Sequence, residues 1–101
     1  MAKTTIKTTR WDPAARLTTK KAIAGYLEAA LEEGDPALIV AALGDIARSR
    51  GMSQVAKDAR LTRASLYKSL RSESNPEFAT ILKVMGALGV RLKVEPIPEA
   101  A

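Results

Sequence analysis

Residues 52–70, MSQVAKDARLTRASLYKSL, join two short amphipathic helical stretches across a bend, and their exposed side chains are hydroxyls and cations. Those groups hydrogen-bond to phosphate oxygens and to base edges, so the chemistry on offer is recognition of a DNA groove. Ala56 lies four residues before Arg60 at the bend, Leu61 follows it, and Leu66 comes ten residues after Ala56. Small and apolar side chains therefore fall where two crossing helices must touch, as a helix-turn-helix requires. Thr62 opens the second helix with a hydroxyl placed to cap the free N–H groups of its first turn. Arg63, Ala64, Ser65, Tyr67, Lys68 and Arg71 remain for the outer side. Arg63 and Lys68 suit guanine O6 and N7, Ser65 either partner of a base pair, and Ala64 a thymine methyl. Tyr67 can donate its hydroxyl to a phosphate, and Ser53, Gln54, Lys57 and Arg71 lie near the expected path of the backbone.

Charge follows the same division. The chain has 101 residues and a formal net charge of +5. Residues 48–71 hold seven cations (Arg48, Arg50, Lys57, Arg60, Arg63, Lys68 and Arg71) against Asp58 alone, while residues 21–47 hold five acids against Lys21. The total is only compatible with a polyanionic partner; its concentration around the helix pair is the informative part. The bend itself is unusual. Glycine is the common residue where a backbone turns to positive φ, and Arg60 there carries about 1 kcal/mol of strain.

Much chemistry is excluded. The chain has no cysteine and no histidine, which removes disulfides, thiolate metal sites, imidazole catalysis and the common zinc sites, and no cofactor is expected. Ser65 and Lys68, three residues apart, superficially offer a Ser–Lys nucleophile pair, but on the outer side of a short helix they have no cleft, so no enzyme is expected. No stretch approaches the ~20 apolar residues needed to cross a bilayer, and the Thr-rich N-terminus lacks the apolar core of a secretory signal. Cytoplasmic residence is the expectation.

The elements that must hold this pair in place are helices. Ile23, Tyr26, Leu27, Ala30 and Leu31 recur at helical spacing, with Thr18 or Thr19 as cap and Gly34 as stop. Asp35 and Pro36 start a second helix whose stripe is Leu38, Ile39, Ala42, Leu43, Ile46 and Ala47, closed by Arg48, Arg50 and Gly51. Beyond the helix pair, Asn75 and Pro76 are expected to open a last helix lined by Phe78, Ile81, Leu82, Met85 and Leu88, with Gly89 at its end. Val90, Leu92 and Val94 then alternate with Arg91, Lys93 and Glu95, the period of a strand over residues 90–95. A lone strand needs a partner, either the N-terminal arm or the same strand of a second chain in a two-fold dimer. The expected organisation is an extended arm over residues 1–17, then a mainly all-α domain over 18–101 with five helices, the helix-turn-helix at about 52–71 and a short C-terminal strand. Trp11, in the arm, is either an anchor onto the helices or a contact for a partner protein.

The succession YLEAALEEGDPALIVAALGDIARSRGMSQVAKDARLTRASLYKSL, followed by NPEFATILKVMGALGVRLKVEP, resembles the addiction-module antidote proteins, HigA-like antitoxins within the Xre or lambda-repressor-like helix-turn-helix superfamily. The resemblance covers about residues 10–96 and is most specific in EEGDPALI, GMSQVA, LYKSL and NPEFATILKVMGALG. It implies a lambda-repressor-like domain and an antitoxin of a type II toxin–antitoxin pair. Such a protein binds a small basic toxin of the RelE or ParE superfamily (HigB-like) and represses its own operon through its operator DNA. Thr62, Arg63, Ala64, Ser65, Tyr67 and Lys68 match the family's groove-facing segment. In the wider superfamily a glutamine opens the first motif helix; here Met52 holds that place and Gln54 stands two residues further in. Glu28, Glu32 and Glu33, with Asp35, give an acidic helix end that attracts a basic toxin, and the same acids also serve simply to solvate that end. Trp11 is the other candidate toxin contact. The alternative is a stand-alone phage-type transcriptional regulator with no toxin.

Overall fold

The computed structural model describes residues 19–99. Among them are five helices: α1 (Lys20–Glu33), α2 (Pro36–Arg50), α3 (Met52–Ala59), α4 (Arg63–Leu70) and α5 (Phe78–Ala87). The arm expected over residues 1–17, with Trp11, lies outside the described residues.

Local chemistry sets most of the boundaries. Thr19 Oγ1 accepts the Ala22 N–H at 3.1 Å and opens α1, which ends at Gly34 with φ 72°. Asp35 Oδ1 accepts the Ala37 N–H at 3.0 Å, and Pro36, with no N–H to lose, stands in the first turn of α2. Gly51, at φ 103°, lets α2 stop and α3 begin within one residue, a backbone geometry open essentially to glycine. The start of α5 differs from the expectation. Its cap is Glu77, extended at φ −65° and ψ 150°, so Asn75 and Pro76 belong to the preceding loop and no side chain caps this helix.

The core lies where α1 and α2 pack together and α3 is held between α2, α4 and α5. Ile23 and Leu27 of α1 meet Leu43, Ile46 and Ala47 of α2; Val55 and Ala56 of α3, Leu66 and Leu70 of α4, and Val84, Met85 and Leu88 complete it. The α2 stripe holds at Ala42, Leu43, Ile46 and Ala47 and differs only at its start, whereas the α5 stripe is turned by about one residue. On α2, Val40 is buried and Leu38 exposed; on α5, Val84 is fully buried while Phe78 is 65% exposed. Val84 thus replaces Phe78 and Leu82 in the face formed with Ile81, Met85 and Leu88. Each fully buried aliphatic side chain is worth about 1.5–3 kcal/mol relative to exposure.

The strand expected over residues 90–95 is not formed among the described residues. Its first residue is committed elsewhere: the Val90 N–H donates to the Met85 carbonyl at 3.0 Å and the Gly89 N–H to that of Gly86, which closes α5. Alternation of side chains gives a strand its faces but not its ladder, and a ladder needs a second edge. Leu92 packs partly on the core, whereas Val94 is 94% and Ile97 90% exposed.

A polar link ties α1 to α2. The Tyr26 hydroxyl donates to Asp45 Oδ2 at 2.9 Å, and Arg48 Nη2 donates to Asp45 Oδ1 at 2.7 Å. Burial, the hydrogen bond and the Asp45 charge together raise the Tyr26 pKa, so the neutral phenol is the favoured form in the fold. A raised phenol pKa contributes stability that is complete below about pH 10 and lost as pH rises through the folded value. Tyr26→Phe is expected to cost about 1 kcal/mol at neutral pH. In urea titrations at a series of pH values, the gap between the two proteins should stay constant to about pH 10 and narrow above it.

Candidate nucleic-acid interface

The side chains in question are held by a three-residue turn, Arg60, Leu61 and Thr62, between α3 and α4. Arg60 adopts the left-handed conformation, φ 61° and ψ 42°, as the position was expected to require. Its N–H donates to the Lys57 carbonyl at 3.1 Å, and the Leu61 N–H donates back to the Ala56 carbonyl at 2.9 Å. These two bonds satisfy the last carbonyls of α3 and reverse the chain within one residue, and the left-handed Arg60 offsets its strain against them. Thr62 is extended at ψ 155°, and its Oγ1 accepts the Ser65 N–H at 3.0 Å, which starts α4.

At eight residues, α4 is too short to persist alone in water. Leu66 and Leu70 hold it to the core, both buried. The other flank is solvent-facing: Arg63, Ala64, Ser65, Tyr67 and Lys68 are all exposed, with Arg71 just beyond. On α3 the buried side is Met52, Val55, Ala56 and Ala59, which leaves Ser53, Gln54 and Lys57 exposed. All ten residues singled out for duplex contact therefore sit at the surface of α3, of α4 or of the residues flanking α4.

Two contacts alter the picture drawn from sequence. Gln54 Nε2 donates to Asp58 Oδ1 at 2.9 Å, so part of the Gln54 amide is engaged within α3. Arg63 and Tyr67, one helical turn apart, are coupled: Nη2 of the guanidinium donates to the Tyr67 hydroxyl oxygen at 3.2 Å, and Cζ lies 5.3 Å from the ring centroid. An Arg–Tyr pair at i and i+4 is the signal of this contact in the sequence, and it joins two side chains expected to act as separate donors. Asp45 was also missed. Its ion pair with Arg48 removes one cation from the basic total of the segment. Arg50, Lys57, Arg60, Arg63, Lys68 and Arg71 remain exposed around the pair.

The acids expected to face a toxin divide into two groups. Glu28 and Glu32 border a groove between α1 and the C-terminal segment, shared with Leu27, Arg91, Leu92 and Lys93. Glu33 borders a different groove, between α1 and α2, with Tyr26, Leu38 and Asp45. All three carboxylates are exposed.

A family model described as "Probable addiction module antidote protein" matches residues 7–96. The chain belongs to this family. A protein of Haemophilus influenzae described as uncharacterized is 48% identical over 85 residues, spanning 84% of this chain and 88% of that one. No solved structure matches the chain significantly. An antidote has a regulatory and not a catalytic role, and its counterpart is a toxin. Among the described residues no helix is long and apolar enough to cross a membrane.

The strain at the turn is measurable. Arg60→Gly should stabilise the antidote by up to about 1 kcal/mol, and Arg60→Val, with a branched Cβ that tolerates this conformation poorly, should destabilise it. Chemical denaturation of the three proteins checks the order; a glycine variant less stable than the parent would contradict it.

Proposed function

We propose that this antidote is the antitoxin of a type II toxin–antitoxin module, one that binds its own operator as an autorepressor and neutralises a small basic toxin of the RelE or ParE superfamily. The observation that carries the DNA reading is the flank of α4, where Arg63, Ser65 and Lys68 are exposed while Leu66 and Leu70 of the same helix are buried. A helix anchored on one side and cationic on the other is the form that enters a major groove, with its N-terminal residues at the base edges. Lys57 and Arg71 neutralise phosphates, and Lys68 stands beside Arg63 as a candidate for guanine; Ser53, Tyr67 and the free part of Gln54 add hydrogen bonds to the backbone. Thr62 and Ala64 complete the segment at the groove. We read the five helices and the turn between α3 and α4 as a lambda-repressor-like domain. A stand-alone regulator would share this surface, but the family favours a chain with a toxin counterpart.

The operator complex is read as a two-fold dimer. Residues 90–95 keep the alternation of a strand, and Val94 and Ile97 are apolar side chains exposed among the described residues. A second copy of the segment supplies the edge that the described residues lack. On this reading the wild type binds its promoter as a dimer, with half-sites about one helical turn or a multiple apart. Val94→Asp weakens both dimerisation and promoter affinity. Lys57→Ala weakens binding to promoter and random duplex alike and lowers the slope of log affinity against log salt by about 1. Titrations of labelled promoter over a salt series, with sedimentation for oligomeric state, test these outcomes; a promoter bound no better than random duplex refutes the DNA reading.

For the toxin, the groove beside Glu28 and Glu32 is the preferred surface, with Glu33 and Trp11 as further candidates. Opposite charge speeds encounter with a basic partner. A gene for a small basic protein immediately upstream is expected, and co-expression with it should yield a stable complex and restore growth. Glu28→Lys with Glu32→Lys should slow association with that protein and leave promoter binding unchanged. Growth inhibition that the antidote does not relieve would refute the toxin reading.

A further inference from the structure

The coupled pair on α4 has a consequence for which base is read. Tyr67 is exposed and stands outside the core cluster. What it touches is Arg63: it accepts one guanidinium N–H at 3.2 Å and lies beneath the cation at 5.3 Å. We propose that Tyr67 is a positioning residue, which holds the Arg63 guanidinium in the pose that reads one guanine of each operator half-site. This inference rests on the DNA reading above and names what Arg63 selects.

A guanidinium has five N–H groups, and one is given to Tyr67. Two of the remaining four are enough for the acceptors O6 and N7 of guanine. Adenine presents N7 beside the N6 amino donor, so the same fork meets a donor and loses one bond. An unrestrained arginine side chain samples many rotamers and loses that freedom on binding; in this protein the stacking and the hydrogen bond remove part of it during folding. The Tyr67 hydroxyl accepts from Arg63 and so keeps its own proton, which remains free to donate to a phosphate. Lys68, a compact charge on a flexible stem, has no comparable restraint, and Ala64 has no polar group. Base selection on α4 therefore centres on Arg63, and Tyr67 acts through it.

The test uses the full chain and duplexes carrying its own promoter, with random duplex as reference. Tyr67→Phe keeps the ring and loses the acceptor, Tyr67→Ala loses both, and Arg63→Ala removes the reader. Circular dichroism confirms folding of each; the positions are exposed. The expected results are a fall of about ten-fold in the promoter-to-random affinity ratio for Arg63→Ala, a similar fall for Tyr67→Ala and a smaller one for Tyr67→Phe, with the random-duplex affinity of the Tyr67 variants falling only by the loss of the phosphate bond and so less than the promoter affinity. In the Arg63→Ala background, Tyr67→Ala should change the ratio little further. Replacing a guanine of each half-site by 7-deazaguanine, which lacks the N7 acceptor, should weaken wild type at one position and leave Arg63→Ala indifferent there. Tyr67→Ala that weakens promoter and random duplex equally, or whose effect adds in full to that of Arg63→Ala, makes Tyr67 a phosphate contact and overturns the positioning role. Wild type that does not distinguish promoter from random duplex overturns the DNA reading itself, a separate result.

Discussion

Leu66 is fully buried and sits on the inner side of the same eight-residue helix that carries Arg63, Tyr67 and Lys68 on its outer side. Without that anchor the outer residues would not form a surface, because a helix of two turns has too few internal hydrogen bonds to offset the cost of its nucleation. Leu70 repeats the anchor one turn later, and Gly44 of α2 allows α2 to approach that end closely: a Cβ there would stand 3.3 Å from the Leu70 carbonyl oxygen. Loss of a side chain such as Leu66 would cost about 2–5 kcal/mol, a large share of the stability of a domain this size. The outward-facing chemistry of α4 is thus a consequence of the packing beneath it.

The turn before α4 adds the second constraint. Arg60 in a left-handed conformation and Thr62 in an extended one are two consecutive boundary conditions, the first ending α3 and the second starting α4. Between them Leu61 is drawn partly into the core. A cation at Arg60 keeps the turn hydrated and basic where a glycine would make it merely permissive. The strain is small beside the burial that follows, which is why the motif tolerates it.

Where the sequence carried local chemistry, the fold was legible. Thr19, Asp35, Thr62, Gly34, Gly51 and Gly89 each mark a boundary by a cap or a positive φ, and each is found doing so. The helix pair followed from the spacing of Ala56, Leu61 and Leu66, and the exposure of the ten candidate contact residues followed from the same spacing. Reading failed where the deciding partner was distant in sequence. Phe78 and Val84 are both apolar and both on α5, and only the packing of that helix against α3 chooses Val84 for the core. Asn75 and Pro76 are good capping residues, yet Glu77 stays extended and the helix begins later. Residues 90–95 have the period of a strand, but period does not supply the second edge. The division of Glu28 and Glu32 from Glu33 depends on how α1 is rotated against α2 and the C-terminal segment, which the acids themselves do not encode.

Folding and recognition are therefore largely separable in α4. Ala64, Ser65 and Lys68 can be exchanged for other exposed residues at little cost to stability, because nothing beneath depends on them. Leu66 and Leu70 cannot. Thr62 stands on the seam, since its hydroxyl caps the helix at the end proposed to face the duplex; a change there alters stability, and on that proposal contact as well. Arg63 and Tyr67 occupy an intermediate place, coupled to each other and exposed to solvent, so that their pairing shapes the surface without holding up the fold. Specificity in such a helix is adjusted through the outer residues and their mutual contacts, while the leucines and the strained turn keep the presenting surface in place.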